Sequence, residues 1–400
     1  MKKALYIFLA LTLFILGGCR GRHVVSCPPI PYVDSILTSP HMREHALLVS
    51  CTGERVNADI AVIDSPERCV LLSETFMSSD VFDNVDGSAA ADGLPDFAGE
   101  RIASVMDDRY IPYSGYIGGR EADLREIAVR AFMASLDTVC RLAAYDADGR
   151  SHKPSAKAVV LSSPLMAVYG RSDIDTLIRS FGVDIPVFSP VTSMISAAVS
   201  EGRHPVNIAV LASPEVSRSR VYQRVFSEMM KGRGDTVSVC KVICEPVAGG
   251  DSAGVSHHAD ILRSVLDTCR AAGMRVDALL IDDYAVSVPE LERICHELVS
   301  SDDEADIARK QSLAADFRII DPRMSIVSDC FKSFREKNIF THNIAYPVAS
   351  AYITSPESAH FSIMDFDESS LPDGVYEILT DMAPKTHKSY VQNQHFAGGN

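Results

Sequence analysis

Four short polar segments in this 400-residue chain carry residue types suited to proton transfer or to holding a small charged molecule. They are Asp64-Ser65, Asp107 with Pro112-Tyr113-Ser114, Ser162-Ser163-Pro164 and Asp282-Asp283-Tyr284. Each follows an apolar run: Ile60–Ile63, Ile102–Met106, Ala158–Leu161 and Val276–Ile281. Ser213 stands in the same way after Ile208–Ala212. Asp283 is able to accept a proton, although an ordinary carboxylate is a weak base toward the Cα–H of an amino acid. A serine hydroxyl is a poor base without a His or Lys beside it, and neither adjoins Ser162. Asp282 and Asp283 together place negative charge at one point, which suits a cationic amine or a bound cation. Two segments have simpler readings: Asp64-Ser65 also suits a helix N-cap, and the Pro112 segment also suits a loop with no ligand.

No metal or cofactor is expected. Cys240 and Cys244 lack CxxC spacing and a partner pair. Asp80–Gly87 resembles a calcium loop only loosely, with no closing Glu at the required offset, and reads as a turn-rich insertion. The chain holds no GxGxxG, Walker A or GxSxG pattern. His257-His258 reads as a loop before a helix, and Ser301–Asp306 as a solvated helix end.

The elements that must position these segments alternate. Buried strands are expected at Ile60–Ile63, Ile102–Met106, Lys157–Ser162 and Ile185–Phe188, then at Ile208–Ala212, Thr236–Ile243, Val276–Ile281 and Phe317–Ile320. Helices are expected at Arg120–Arg141, Asp173–Phe181 and Met194–Glu201. In the second half they are expected from about Arg220–Tyr222 onward, and at Asp260–Ala272, Pro289–Ser300 and Ser325–Glu336. Such alternation predicts an α/β fold of two doubly wound parallel-sheet domains, with ligands at the carboxyl ends of the strands and a cleft between the domains. The organisation read from the sequence is a leader at 1–18, a tether at 19–56, a first lobe at 57–207 with an insertion at 73–100, a second lobe at 208–340, and an extension with a loose tail at 341–400.

The strand-end segments, with Ser219 and Tyr222 after the Ile208 strand, resemble the aspartate/glutamate racemase superfamily, glutamate racemases in particular, from about Ile60 to Asn338. The resemblance implies that Asp64 assists proton transfer and that Ser65, Asp107, Pro112, Tyr113 and Ser213 contact the ligand. It places Ser162 and Asp283 where the family has its two catalytic cysteines, and Ser163, Asp282 and Tyr284 among the ligand contacts. Ala285 takes the place of the family's supporting His, and Pro66-Glu-Arg-Cys69 replaces its Gly-rich turn. Proline removes an amide donor there, and without glycine the backbone approaches a carboxylate less closely. A catalytic pair of Ser162 and Asp283 lacks the easily tuned thiols that serve as acid and base in the family. The resemblance therefore implies a racemase frame without standard racemase chemistry, and without a cofactor.

The N-terminus carries Lys2-Lys3, an apolar stretch Ala4–Ile15, and Leu16-Gly-Gly-Cys19. It is too short for a comfortable membrane span and has the layout of a secretory signal ending in a lipobox, with lipid on Cys19. The absence of Asp after Cys19 leans toward the bacterial outer membrane. A net charge of −15 with no basic patch excludes nucleic acid as an expected partner. The nine cysteines after Cys19 do not form a staple pattern, so buried free thiols are the expectation for most of them. The reading carried forward is an envelope lipoprotein that binds a small carboxylated ligand such as an amino acid, its oligomeric state open. The alternatives are an isomerase or lyase with altered catalytic residues, a type I periplasmic solute-binding protein, and a scaffold with an empty cleft.

Overall fold

Apolar runs too short for helices become strands here, and those strands sort into two sheets. The computed structural model describes residues 28–53, 55–107, 109–142, 146–199, 207–231, 242–246, 255–355 and 374–377. The expected anchor at Cys19, the start of the tether (19–27) and the terminal tail lie outside these. The rest of the stretch read as a tether is not a tether but two helices, Pro31–Thr38 and Arg43–Ser50, which bury Val33, Ile36 and Leu48 in the core of the first lobe. In chain order the strands are β1 (Asp59–Asp64), β2 (Arg101–Met106), β3 (Val139–Leu142), β4 (Asp146–His152), β5 (Ala156–Leu161), β6 (Val187–Phe188), β7 (Ile208–Ala212), β8 (Val242–Pro246), β9 (Val276–Ile281), β10 (Leu313–Ile320), β11 (Val348–Ser355) and β12 (Gly374–Glu377). One sheet has the order β4-β3-β12-β11-β2-β1-β5-β6, the other β10-β9-β7-β8.

The centre of the first sheet and all of the second are parallel, as the α/β expectation requires. The two centres share one winding. β2-β1-β5-β6 and β8-β7-β9-β10 each place the second strand on one side of the first, and the third and fourth on the other. The direction of winding reverses between β1 and β5, and again between β7 and β9. Ligands of doubly wound sheets sit outside the carboxyl ends of the strands at such switch points. The second sheet is built from one contiguous stretch, β7 to β10, entered once and left once.

Helices start where a polar cap meets a proline. Ser163-Pro164, Ser189-Pro190, Ser213-Pro214 and Asp321-Pro322 each put a side-chain acceptor at the N-cap and Pro in the first turn. This grammar moves several expected boundaries. The helix expected from Asp173 begins at Pro164, and the one expected from Met194 spans Pro190–Ala198. Pro66–Ser78 is helical, so the insertion begins after Ser78 rather than at 73. The helix expected over Arg120–Arg141 is Glu121–Leu136, and Val139–Leu142 leaves it to become a strand. The segment after Ala212 read as a loop is a short helix, Pro214–Ser219. The strand expected at Thr236–Ile243 is described only as Val242–Pro246.

The largest difference lies at the end of the chain. The stretch read as the close of the second lobe, and the one read as an extension, both return to the first. Helix Pro322–Lys337 covers one face of the first sheet, where Phe331 and Phe334 pack with Phe97 and Phe340, and Phe82 stacks on Phe331 at 4.4 Å. β11 then pairs in parallel with β2, from Val348 opposite Arg101 to Ile353 opposite Met106. In the insertion, Asp80, Asp83, Asp92 and Asp96 accept hydrogen bonds from nearby backbone amides, which is the role of turn-formers. Gly99, at φ 79°, lies against the Asn343 carbonyl and leaves no room for a Cβ.

An ion pair secures this return. Lys157 on β5 and Glu100 meet at 2.7 Å with side chains only 1% exposed, and Lys157 also donates to the Val56 and Ile339 carbonyls. Glu100 accepts from the Thr341 amide at 2.7 Å. Removing one member of a buried pair strands the other charge. Lys157→Met is expected to cost about 3–5 kcal/mol of stability, read as a lower midpoint in urea unfolding, while Lys337→Met on the surface leaves the midpoint nearly unchanged.

Candidate functional site

The two switch points face one another. Asp64, the last residue of β1, and Ser162, the first after β5, belong to the first lobe; Asp282, the first after β9, belongs to the second. Asp64 and Asp282 are 2% and 1% exposed, and Ser162 is fully buried. The Ser162 hydroxyl donates to the Tyr284 hydroxyl at 2.8 Å, a direct contact between the lobes. It also stands near enough to Asp64 to favour the ionised carboxylate.

The residue that joins these groups is one the sequence reading passed over. Pro66 starts a helix directly after Ser65, and its first turn swings Arg68 back across the strand ends. The guanidinium donates to the Asp282 carbonyl at 3.0 Å and to the Ser162 carbonyl at 3.4 Å. It lies 3.9 Å from a carboxylate oxygen of Asp64 and 3.9 Å from one of Asp282. Its central carbon sits 4.7 Å from the centre of the Tyr284 ring, a cation–π contact. About a quarter (24%) of the Arg68 side chain still reaches solvent.

Charge in this site exceeds its hydrogen bonding. One oxygen of Asp64 and both of Asp282 have no partner at full hydrogen-bond geometry. The other Asp64 oxygen accepts from the Ser65 amide at 2.7 Å. Burial pushes the Asp64 carboxyl up to about 6, against the pull of Arg68 and the Ser65 amide. Burial pushes Asp282 up to about 7, opposed by Arg68 and by the nearby Tyr222 hydroxyl. Burial alone would lower the Arg68 guanidinium, but Asp64, Asp282 and Tyr284 together hold it above its ordinary value.

The remaining residues divide between the site and the scaffold. Asp107 is buried beside Asp64, accepting from the Arg109 and Tyr110 amides and from the Tyr113 hydroxyl at 2.9 Å. Asp107 and Tyr113 thus border the site, while Pro112, after a cis peptide bond, is exposed. Ser163 and Ser213 use their hydroxyls as N-caps, accepting from Met166 and Val216 amides. Ser65 takes the same cap position without a side-chain cap bond. Asp283 is half-buried and turns its carboxylate to the Ala285 amide at 2.9 Å. Asp282, not Asp283, therefore stands at the end of β9 as Ser162 stands at the end of β5. Tyr222, fully buried on the helix Val221–Lys231, is a further neighbour of Asp282. Arg68 had one signal in the sequence: four residues from Asp64 in the first helical turn, it shares a helix face with that strand end.

Ser162 faces a tyrosine whose acidity burial suppresses, and no His or Lys bonds to it. Cys69 lies under Asp64, but its thiol donates to the Val62 and Asp64 carbonyls and burial raises it well above the ordinary thiol range. Among the described residues no group of His, Cys, Asp and Glu is arranged to hold a metal ion. Also among them, no helix is long and apolar enough to cross a membrane. A cavity of about 540 Å³ opens at the opposite end of the first sheet, beside Asn57 and His342. There the Arg55 guanidinium is committed to Ser155 and the Ala156 carbonyl.

No protein-family model matches the chain, and no curated protein matches it in sequence. Among solved structures it is similar to glutamate racemase isoform RacE1 of Bacillus anthracis, at 15% identity and a TM-score of 0.48, over 76% of this chain and 91% of that one. It is similar to the glutamate racemase of Francisella tularensis in complex with D-glutamate, at 16% identity and a TM-score of 0.45, over 75% and 89%. The aspartate racemase of Picrophilus torridus follows at 12% identity and a TM-score of 0.33, over 71% and 99%. At these identities the likeness is one of architecture.

The raised carboxyls set a sign for the pH dependence of stability. A carboxyl whose folded value exceeds its unfolded value of about 4 favours folding below about pH 4, and that contribution is lost as pH rises through about 6 for Asp64 and about 7 for Asp282. The melting temperature is therefore expected to fall between about pH 5 and pH 8. Asp282→Asn flattens that decline; an unchanged slope in the variant would mean that Asp282 is not held protonated by burial.

Proposed function

We propose that this protein is a cell-envelope lipoprotein, held by lipid on Cys19, whose racemase-type cleft binds a small carboxylated ligand such as an amino acid and does not racemise it. The observation that carries the binding reading is the meeting of Arg68 with Asp64 and Asp282 at the two switch points, with three carboxylate oxygens short of a full hydrogen bond. An amino acid brings an ammonium and a carboxylate, and the site offers a charge of each sign. Buried carboxylates left unpaired are costly, so a cation placed on them by a ligand gives a large return in affinity. Loss of racemase activity is supported by a serine without a base at one strand end and by a thiol buried away from the cleft at the other.

The contiguous stretch β7–β10, entered and left once, favours the racemase frame over a type I solute-binding protein, whose lobes are joined by several crossings. One observation favours a second reading. With Asp64 pushed up to about 6 and Asp282 to about 7, both carboxyls titrate where general acids and bases work, so an isomerase or lyase would use Asp282 rather than Asp283 as its base. In the present arrangement the Arg68 guanidinium lies between Asp64 and Asp282, 3.9 Å from an oxygen of each.

Binding is tested by calorimetry on the full chain with the L and D forms of glutamate and aspartate. At least one is expected to bind saturably, and Asp282→Asn is expected to weaken it on the order of tenfold or more. No heat with any of the four would set the amino-acid reading aside. The anchor is tested by detergent phase partitioning after expression in a bacterial host. Wild type is expected in the detergent phase and Cys19→Ala in the aqueous phase, whereas equal partitioning would remove the lipoprotein reading.

A further inference from the structure

The Arg68 guanidinium occupies a position that a ligand cation would be expected to fill. It lies between two carboxylates from different lobes, over an aromatic ring, at a strand-end cleft. Yet it is held loosely. Its hydrogen bonds go to the Ser162 and Asp282 backbone carbonyls, not to carboxylates. The nearest carboxylate oxygens lie at 3.9 Å, beyond hydrogen-bond range, and Asp282, 1% exposed, has no hydrogen bond of full geometry to either oxygen, only the Tyr222 hydroxyl nearby. A tight structural ion pair in the same molecule looks different: Lys157 and Glu100 meet at 2.7 Å with other polar partners close around them. The Arg68 arrangement neutralises the two aspartates without satisfying them.

We propose that Arg68 is a built-in occupant of this subsite, standing in for the cationic group of the ligand and holding the lobes together until a ligand displaces it. The inference rests on the binding reading above and adds to it a requirement on the ligand. A molecule that enters must bring its own ammonium or guanidinium to Asp64 and Asp282, because a charge removed from between two buried carboxylates has to be replaced. The displaced Arg68, a planar donor with part of its surface in solvent, is then free to take the ligand's carboxylate. Ligand and side chain thus exchange partners with no net change in buried charge. A dicarboxylate without an amine cannot make this exchange, and a simple amine gains nothing over the guanidinium already in place.

The test replaces the occupant and supplies it again from solution. Thermal unfolding of the full chain is followed by circular dichroism with guanidinium chloride at roughly 20 mM, far below the molar range that unfolds proteins, and with sodium chloride at equal ionic strength. Arg68→Ala is expected to melt lower than wild type and to regain roughly 2–3 °C or more with guanidinium only. Wild type is expected to show no such gain, and adding Asp282→Asn to Arg68→Ala is expected to abolish it. Arg68→Gln keeps donors toward the two carbonyls without the charge, and is expected to give the same response should Arg68→Ala fail to fold. A guanidinium effect equal in wild type and variants, or absent from both variants, overturns the proposal. So does binding of glutarate to wild type as tightly as glutamate. Glutamate binding without guanidinium rescue would defeat the occupant and leave the amino-acid site standing. Guanidinium rescue with no amino acid bound would defeat the amino-acid reading instead.

Discussion

The structure turns on one guanidinium placed among buried carboxylates. Asp64 and Asp282 come from different sheets and sit at 2% and 1% exposure. Buried charges of one sign are tolerated only when something compensates them. Burial raises both carboxyls toward neutrality, and Arg68 supplies a positive charge 3.9 Å from each. The same side chain holds the carbonyls that end β5 and begin the turn after β9. Where the two lobes meet here therefore depends on a residue whose charge is also the most obvious determinant of what the cleft accepts.

The fold brings this about through repetition. Each lobe winds its first four parallel strands in the same order, so each has one switch point, and the two switch points are the places that meet. Serine or aspartate followed by proline stops a strand and starts a helix within two residues. At Ser163 and Ser213 that economy uses the hydroxyl. At Ser65 it does not, and at Asp282 no such cap follows, so the unsatisfied polar groups collect at β1 and β9. Far from the site, the Lys157–Glu100 pair and the phenylalanine cluster fasten the returning chain to the first lobe.

Much of this could be read from the chain. Apolar runs such as Ala-Val-Ile and Ala-Leu-Leu-Ile announce parallel strands because both faces are covered. The strand-end residues Asp64, Ser162 and Asp282 were legible for the same reason: a polar residue directly after such a run lies at the carboxyl end of its strand, with Tyr284 two residues on from Asp282. Three things resisted. Helix starts at Ser-Pro were placed too late because the expected bounds followed the apolar stripe, while Pro in the first turn and a Ser cap start the helix earlier. β11 was missed because Val348–Ser355 is mixed in character and gains its place by pairing with a strand far away in sequence. Arg68 was missed because its partner carbonyl at Asp282 is 214 residues distant, and no local pattern records such a contact. Asp282 and Asp283 differ by a single residue of register, and the Asp283 carboxylate accepts from the Ala285 amide while Asp282 is the buried one.

Whether the cleft binds or transforms its ligand is decided most directly in deuterated water. The full chain is incubated with each enantiomer of glutamate and aspartate, and the Cα proton is followed by NMR. A site whose Arg68 gives way to the ligand and takes its carboxylate, with a serine lacking a base and a thiol raised by burial, leaves that proton signal unchanged over times at which binding is saturated. Loss of the signal, abolished by Asp282→Asn, would contradict the account and make Asp282 the base of a working enzyme.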